Sequence, residues 1–129
     1  MSSTFTTAVT CMDGRIQIPV IEYMKSTFGV AYVDMITEPG PNKILSENTD
    51  NNIVGSIRRR VAISVEVHYS KVIAVVGHHD CVGNPTDKET QRHHIHNAVS
   101  MVNTWGFDAQ VIGLWIDETW LVHEVSPRT

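Results

Sequence analysis

Residues 72–76, Val-Ile-Ala-Val-Val, form a near-continuous apolar run between Lys71 and Gly77. In a strand, successive side chains point to opposite faces, so a run without alternation requires cover on both sides. Such double cover belongs to parallel sheets flanked by helices. The remaining chain alternates strands with helices in a way that supplies it. Residues 6–11 are β-prone. Pro19 opens a helical stretch in which Val20, Ile21, Met24 and Phe28 share a face, with Gly29 placed as a C-cap. A second strand over 30–37, rich in β-branched and aromatic residues, is stopped by Glu38-Pro39-Gly40-Pro41. A polar loop is expected over 42–52. Ile53, Ile57, Val61 and Val65, four apart, predict a helix over 53–68, with Arg58-Arg59-Arg60 as its solvated start. Residues 88–105 are helical, with Ile95, Val99 and Val102 inward and Gly106 closing the segment. Strands over 108–116 and 119–125 form a hairpin around Asp117-Glu118. The order βαβαβαββ predicts a three-layer α/β fold: a mostly parallel central sheet, helices on both faces and an antiparallel C-terminal edge strand. No repeat or linker divides residues 1–129, which suit a single domain.

Composition excludes several classes of function. At 42% hydrophobic and 19% charged residues the chain is globular rather than disordered. A net charge of -4 argues against a nucleic-acid footprint, which would ask for a clustered basic surface. Residues 1–4 carry neither a basic nor an apolar leader segment, and no apolar run approaches the length that spans a bilayer. A cytoplasmic protein without nucleic-acid or membrane partners is expected. Two cysteines are too few for a disulfide framework. In a reducing compartment they are ligands, a nucleophile or small buried hydrophobes.

Cys11, Asp13 and Arg15 alternate through Cys11-Met12-Asp13-Gly14-Arg15, at the carboxyl end of the first strand. In an extended segment they project together, from the edge where open α/β sheets bind ligands. Cys81 lies in Gly77-His78-His79-Asp80-Cys81, directly past the 71–77 strand. If those two strands are neighbours, His78 and Cys81 meet Cys11. Two thiolates and an imidazole make a three-ligand zinc site with a fourth position open, and no third cysteine exists to close it. Each cysteine alone reads first as packing; their placement at equivalent strand ends, with a carboxylate and a guanidinium beside one of them, is what favours the metal. Zinc there would supply hydroxide near neutral pH to attack a small electrophile such as CO2. Asp13 would orient it and Arg15 would hold that carboxylate. His79 and Asp80 read first as polar loop residues, with a proton shuttle at the rim as the alternative. His93, His94 and His96 read as a solvated helix start rather than a second metal patch.

The pair C-x-D-x-R and H-x-x-C resembles the signature of the β-class carbonic anhydrases. The similarity in element order covers nearly the whole chain and looks closest to short archaeal-type members; residues 30–40 and 111–125 resemble the family's second-strand segment and closing hairpin. The resemblance implies Zn2+ held by Cys11, His78 and Cys81, and a catalytic pair Asp13–Arg15. It also implies a carbonate dehydratase, a zinc lyase reversibly hydrating CO2 to bicarbonate. A homodimer or higher homo-oligomer, with the site at a subunit interface, is expected on the same ground. The chain departs from the family in three places. Only ten residues precede Cys11, where the family usually has a helical arm. Thr37-Glu38-Pro39-Gly40 replaces an Arg-Asn-Ala-Gly stretch and brings Glu38 toward the pocket. The glycine that commonly follows the second cysteine is Val82, with Gly83 one step later. Relatives of this fold hydrolyse carbonyl sulfide or carbon disulfide, so that activity, or a non-catalytic zinc-binding relic, is the alternative expectation.

Overall fold

The apolar run at 72–76 becomes the middle strand of a five-stranded sheet. The structure is a computed structural model and describes residues 4–126. Its elements are β1 (Phe5–Cys11), α1 (Gln17–Phe28), β2 (Tyr32–Glu38), α2 (Pro41–Glu47), α3 (Asn51–Glu66), β3 (Val72–His78), α4 (Lys88–Asn103), β4 (Gln110–Ile116) and β5 (Val122–Ser126). The strand order is β2-β1-β3-β4-β5. The first four strands are parallel and β5 pairs antiparallel with β4. The three-layer α/β architecture is therefore as expected, and all of β3 is buried.

The two faces are covered unequally. Leu45 of α2, Ile57 and Val61 of α3, and Ile95 and Val99 of α4 pack on one face against Val9, Ile73 and Val75. Ile16, Val20 and Met24, at the start of α1 and along it, close the other against Ala8, Ala74, Val76 and Leu114. The chain thus winds outward from β1 to β2 through α1, then returns across β1 to reach β3 on its far side. At this reversal the connections leave β1 and β3 in opposite directions, which opens a crevice at their carboxyl ends.

A buried polar network holds the opposite end of the sheet. Thr7 Oγ1 lies 2.5 Å from Ser64 Oγ and donates to Ser70 Oγ at 2.7 Å. Ser64 Oγ donates to Asp34 Oδ2 at 2.7 Å, and His68 Nδ1 meets the same oxygen at 2.7 Å. Side chains of β1, β2 and α3 are thereby tied, with the hydroxyls of Thr7, Ser64 and Ser70 buried where an unpaired one would cost free energy and Asp34 and His68 at the half-buried rim.

Three local expectations are corrected. The segment 42–52 is not a loop, because α2 occupies Pro41–Glu47. Gly40 enters it at φ 63, Pro41 takes the first turn where its missing N–H costs nothing, and Asn48 ends it at φ 52. Its polar composition conceals a buried side that includes Leu45 and Asn42. The triplet Arg58-Arg59-Arg60 lies inside α3, which begins at Asn51 behind the Asp50 cap. Arg58 sits over the Trp105 ring and Arg60 pairs with Glu38. The hairpin turn is wider than Asp117-Glu118: Asp117 Oδ1 accepts from Thr119 N, Thr119 Oγ1 and Leu121 N, and Trp120 adopts φ 64.

Leu45→Ala separates a docked α2 from a solvated loop. Emptying this fully buried position is expected to cost about 2–5 kcal/mol, read by urea unfolding, whereas a loop leucine would cost little.

Candidate metal centre

The centre is built where β1 and β3 end side by side. Cys11 is the last residue of β1 and His78 the last of β3. Beyond His78 the chain turns through Asp80, at φ 58, and returns Cys81 to the crevice. The two sulfurs are 3.8 Å apart, and the ligand atoms of Cys11, His78 and Cys81 lie within 4.8 Å of one another. All three residues are buried.

Each donor is oriented. His78 Nδ1 donates to the His79 carbonyl at 2.7 Å, so its lone pair is on Nε2. Nε2 is buried without a hydrogen-bond partner, which an imidazole nitrogen tolerates at a metal-ligating position. The sulfurs compete for a proton. The Cys81 thiol, donating to Cys11, does most to lower the Cys11 pKa to about 3; burial opposes it, and His78 and the amides of Gly40 and Asp13 assist. Cys81 is pushed up by the same shared proton, by burial and by the charge on Cys11, against the opposing amides of Asn84 and Gly83. Burial tends to lower the His78 pKa, yet the neighbouring Cys11 thiolate and the His79 carbonyl raise it on balance. Two thiolates and a neutral imidazole in a dry crevice fit a divalent cation, which removes the competition.

The loops around the sulfurs cross at two glycines. A Cβ on Gly40 would stand 2.8 Å from the Gly83 carbonyl carbon, and one on Gly83 only 2.4 Å from that of Pro39. Close approach of two backbones explains Gly40 and Gly83 together. The displaced glycine seen in the sequence is the one the crossing needs.

Asp13 and Arg15 meet beside the cysteines, but through a turn rather than the extended spacing expected: β1 ends at Cys11, and the amide of Ile16 donates to the Asp13 carbonyl at 3.3 Å. Arg15 donates from Nε to Asp13 Oδ1 at 3.0 Å and from Nη2 to Oδ2 at 2.6 Å, while its backbone N–H reaches Oδ1 at 2.9 Å. These bonds hold the Asp13 carboxyl down at about 2 against the opposing effect of burial. Gln17 Nε2 ties the turn by donating to the carbonyls of Cys11 at 2.8 Å and Asp13 at 2.7 Å. Arg15 also donates to Asp80, at 3.2 Å to Oδ2 and 3.1 Å to the backbone oxygen, and its guanidinium carbon lies 4.7 Å from the Trp120 ring centroid. Asp80 is thus a partner of Arg15 and more than a rim residue. Trp120 and Gln17 escape sequence reasoning because no spacing links them to the cysteines.

Other singled-out residues lie outside the centre. Glu38 is in register with Cys11 on the neighbouring strand, but its carboxylate pairs with Arg60. His93 and His96 are exposed. His94 Nδ1 faces Asn84 Nδ2 at 2.9 Å, and burial lowers its pKa. Among the described residues no second histidine, cysteine or carboxylate group stands at metal-holding separation. A cleft of about 490 Å³, lined by Cys81, His79, Asp80, Trp115, Lys88 and Glu118, opens beside the centre.

Fold and site define a class: a doubly wound α/β protein with two thiols and an imidazole gathered at its switch point. The chain belongs to a carbonic anhydrase family, since the family model described as "Putative carbonic anhydrase" matches residues 1–126. No curated protein matches the chain. Among solved structures it is similar to the β-carbonic anhydrase isoform I of the protozoan Trichomonas vaginalis, at 19% identity and TM-score 0.60, covering 96% of this chain and 84% of that one. It is also similar to a tetrameric β-carbonic anhydrase of the ascomycete Sordaria macrospora, at 12% identity and TM-score 0.62, covering 100% and 83%. The apo form of a carbon disulfide hydrolase matches at 13% identity and TM-score 0.55, covering 97% and 80%. At these identities the likeness is one of fold.

The donor set predicts one divalent ion per chain. Losing an outer-shell partner typically costs ~10–100-fold in metal affinity, so Cys81→Ser, which removes a ligand, should lose more. Metal analysis of the purified variant checks this, and a full complement in Cys81→Ser would refute the assignment.

Proposed function

We propose that the chain is a zinc lyase that reversibly hydrates CO2 to bicarbonate, with Cys11, His78 and Cys81 holding the ion. The observation that carries this reading is the buried convergence of these three donors next to a carboxylate already engaged by an arginine. Two thiolates and one imidazole match the preference of zinc and leave a fourth position free. When bound, zinc lowers the pKa of water and so supplies a nucleophile near neutral pH.

The chain's own residues supply orientation. Asp13 is kept ionised by Arg15, so its unused lone pairs accept a proton-bearing group on the nucleophile and aim it. Arg15 holds both carboxylate oxygens and thereby prevents Asp13 from becoming a fourth ligand. Asp80 and Trp120 keep Arg15 in that place. Around the site Met12 is 64%, Val82 90% and Leu121 59% exposed, which supports a homodimer or higher homo-oligomer whose interface passes near the centre. The tetrameric neighbour lends the same support. No described helix is long and apolar enough to cross a membrane; a centre that depends on two reduced thiols suits the cytoplasm.

A second reading, hydrolysis of carbon disulfide or carbonyl sulfide at the same centre, is favoured by the likeness to the carbon disulfide hydrolase. Stopped-flow assays of the zinc-loaded chain with CO2, carbonyl sulfide and carbon disulfide separate the two. Turnover of sulfur substrates alone selects the second, and no turnover of any leaves a non-catalytic zinc protein. If CO2 is the substrate, Asp13→Ala should lose ~10²–10⁴-fold in turnover, the usual worth of a positioned acid–base group. Arg15→Ala should lose more while keeping its zinc, because a freed Asp13 takes the open position. Near-normal turnover in Arg15→Ala would overturn the role given to the pair.

A further inference from the structure

Strand ends alone do not set the separation of the two sulfurs. Cys11 is tied to the strand end that feeds the β2–α2 turn, because the amide of Met12 donates to the Glu38 carbonyl at 3.1 Å, and Cys81 is tied to the loop after it, because the amide of Asn84 donates to the Cys81 carbonyl at 3.3 Å. These two loops are joined by a buried relay of side-chain amides. Asn42 Nδ2 donates to Gln91 Oε1 at 2.7 Å, and Gln91 Nε2 donates to the Asn84 backbone carbonyl at 2.7 Å. Asn42, Asn84 and Gln91 are each at most 1% exposed.

The direction of the relay is fixed chemically. A backbone carbonyl only accepts, so Gln91 must turn its NH2 to Asn84 and its oxygen to Asn42, which must answer with its own NH2. Asn84 is held further by its side chain, which meets His94 Nδ1 at 2.9 Å and accepts from Thr86 Oγ1 at 3.3 Å. Gly77 of β3 makes the room: a Cβ there would lie 2.7 Å from both Asn42 Nδ2 and Gln91 Oε1. Burying a glutamine on a helix face that is otherwise Ile95, Ala98, Val99 and Val102 brings little net stability, because the hydrogen bonds gained offset the water lost. What two directed bonds do provide is a fixed distance between the groups they join.

We propose that Gln91 is a positioning residue for the metal centre: from α4 it clamps the Gly40 loop, through Asn42, to the Asn84 loop, and so sets the spread of the two sulfurs that receive the ion. The proposal rests on the reading of Cys11, His78 and Cys81 as ligands.

Zinc affinity by chelator competition, and the sulfur-to-metal charge-transfer band after loading with Co2+, test it on the full chain. The proteins compared are the wild type, Cys81→Ser, Gln91→Met, Asn42→Asp and Val102→Ala. Gln91→Met keeps length without either amide group; Asn42→Asp keeps size but cannot donate to Gln91. Val102→Ala creates a buried defect on α4 away from the relay and controls for lost stability. Gln91→Met and Asn42→Asp are expected to bind zinc ~10–100-fold more weakly than wild type and to shift the cobalt band. Val102→Ala, with a comparable fall in Tm, should keep wild-type affinity and band. If Gln91→Met fails to fold, Asn42→Asp carries the comparison. Relay variants that bind as tightly as Val102→Ala with an unshifted band overturn the proposal and leave the ligand assignment standing. A wild type that binds no better than Cys81→Ser overturns the ligand assignment itself.

Discussion

Two buried sulfurs 3.8 Å apart cannot both carry charge unless a cation lies between them. Much of the carboxyl end of this sheet can be understood as a response to that constraint. Without an ion, one sulfur takes the charge and the other keeps the proton, which is the opposed displacement of Cys11 and Cys81. The backbone amides of Gly40 and Asp13 favour the charge on Cys11, and those of Asn84 and Gly83 oppose the rise at Cys81, without adding a titrating group. The two loops that flank the sulfurs pass in direct contact, hence a pair of glycines at the crossing.

The division of the sheet follows from the same need. Its amino end is tied by Thr7, Ser64, Asp34 and His68, a network that joins β1, β2 and α3. With that end fixed, the reversal of winding between β1 and β3 places Cys11 and His78 side by side without long loops to carry them. A site on strand ends is more sharply positioned than one on flexible connections. Three helices stand behind the sheet on the face that carries the relay through Gln91, and α1 alone closes the other.

Much of this was legible in the sequence because it depends on spacing. The doubly buried run at 72–76 implied neighbours on both sides and so a meeting of Cys11 with His78 and Cys81, whereas Asp13 and Arg15, expected together from a period of two, are brought together by the turn that follows β1. Features built on tertiary contact were not legible. Asn42 and Leu45 sit in a segment polar enough to pass for a loop, and only the packed sheet shows which side of α2 is buried. The arginine triplet looks like a helix start until Glu38 and Trp105 are seen to receive two of its members. Trp120 reaches Arg15 through a left-handed turn in the hairpin, and Gln91 gains its role from Gly77, a residue whose importance lies in the side chain it lacks.

The spacing of His78 and Cys81 has its own physical reason. The two residues between them are not filler, since each contributes a carbonyl. His79 accepts the Nδ1 proton of His78 and so turns the opposite nitrogen into the crevice. Asp80 accepts from Arg15 Nη2, linking the carboxylate–guanidinium pair to the same turn. The amide of His79 is anchored to the Ile116 carbonyl at 2.9 Å, which fixes the turn to β4. Asp80 must adopt φ 58 for Cys81 to come back toward Cys11, and aspartate is among the few side chains that enter this region at small cost. A longer turn would free the two carbonyls, and a shorter one could not reverse the chain. One three-residue turn therefore orients the imidazole, seats the arginine and delivers the second sulfur, so the geometry of the centre and that of the Asp13–Arg15 pair are set by the same backbone.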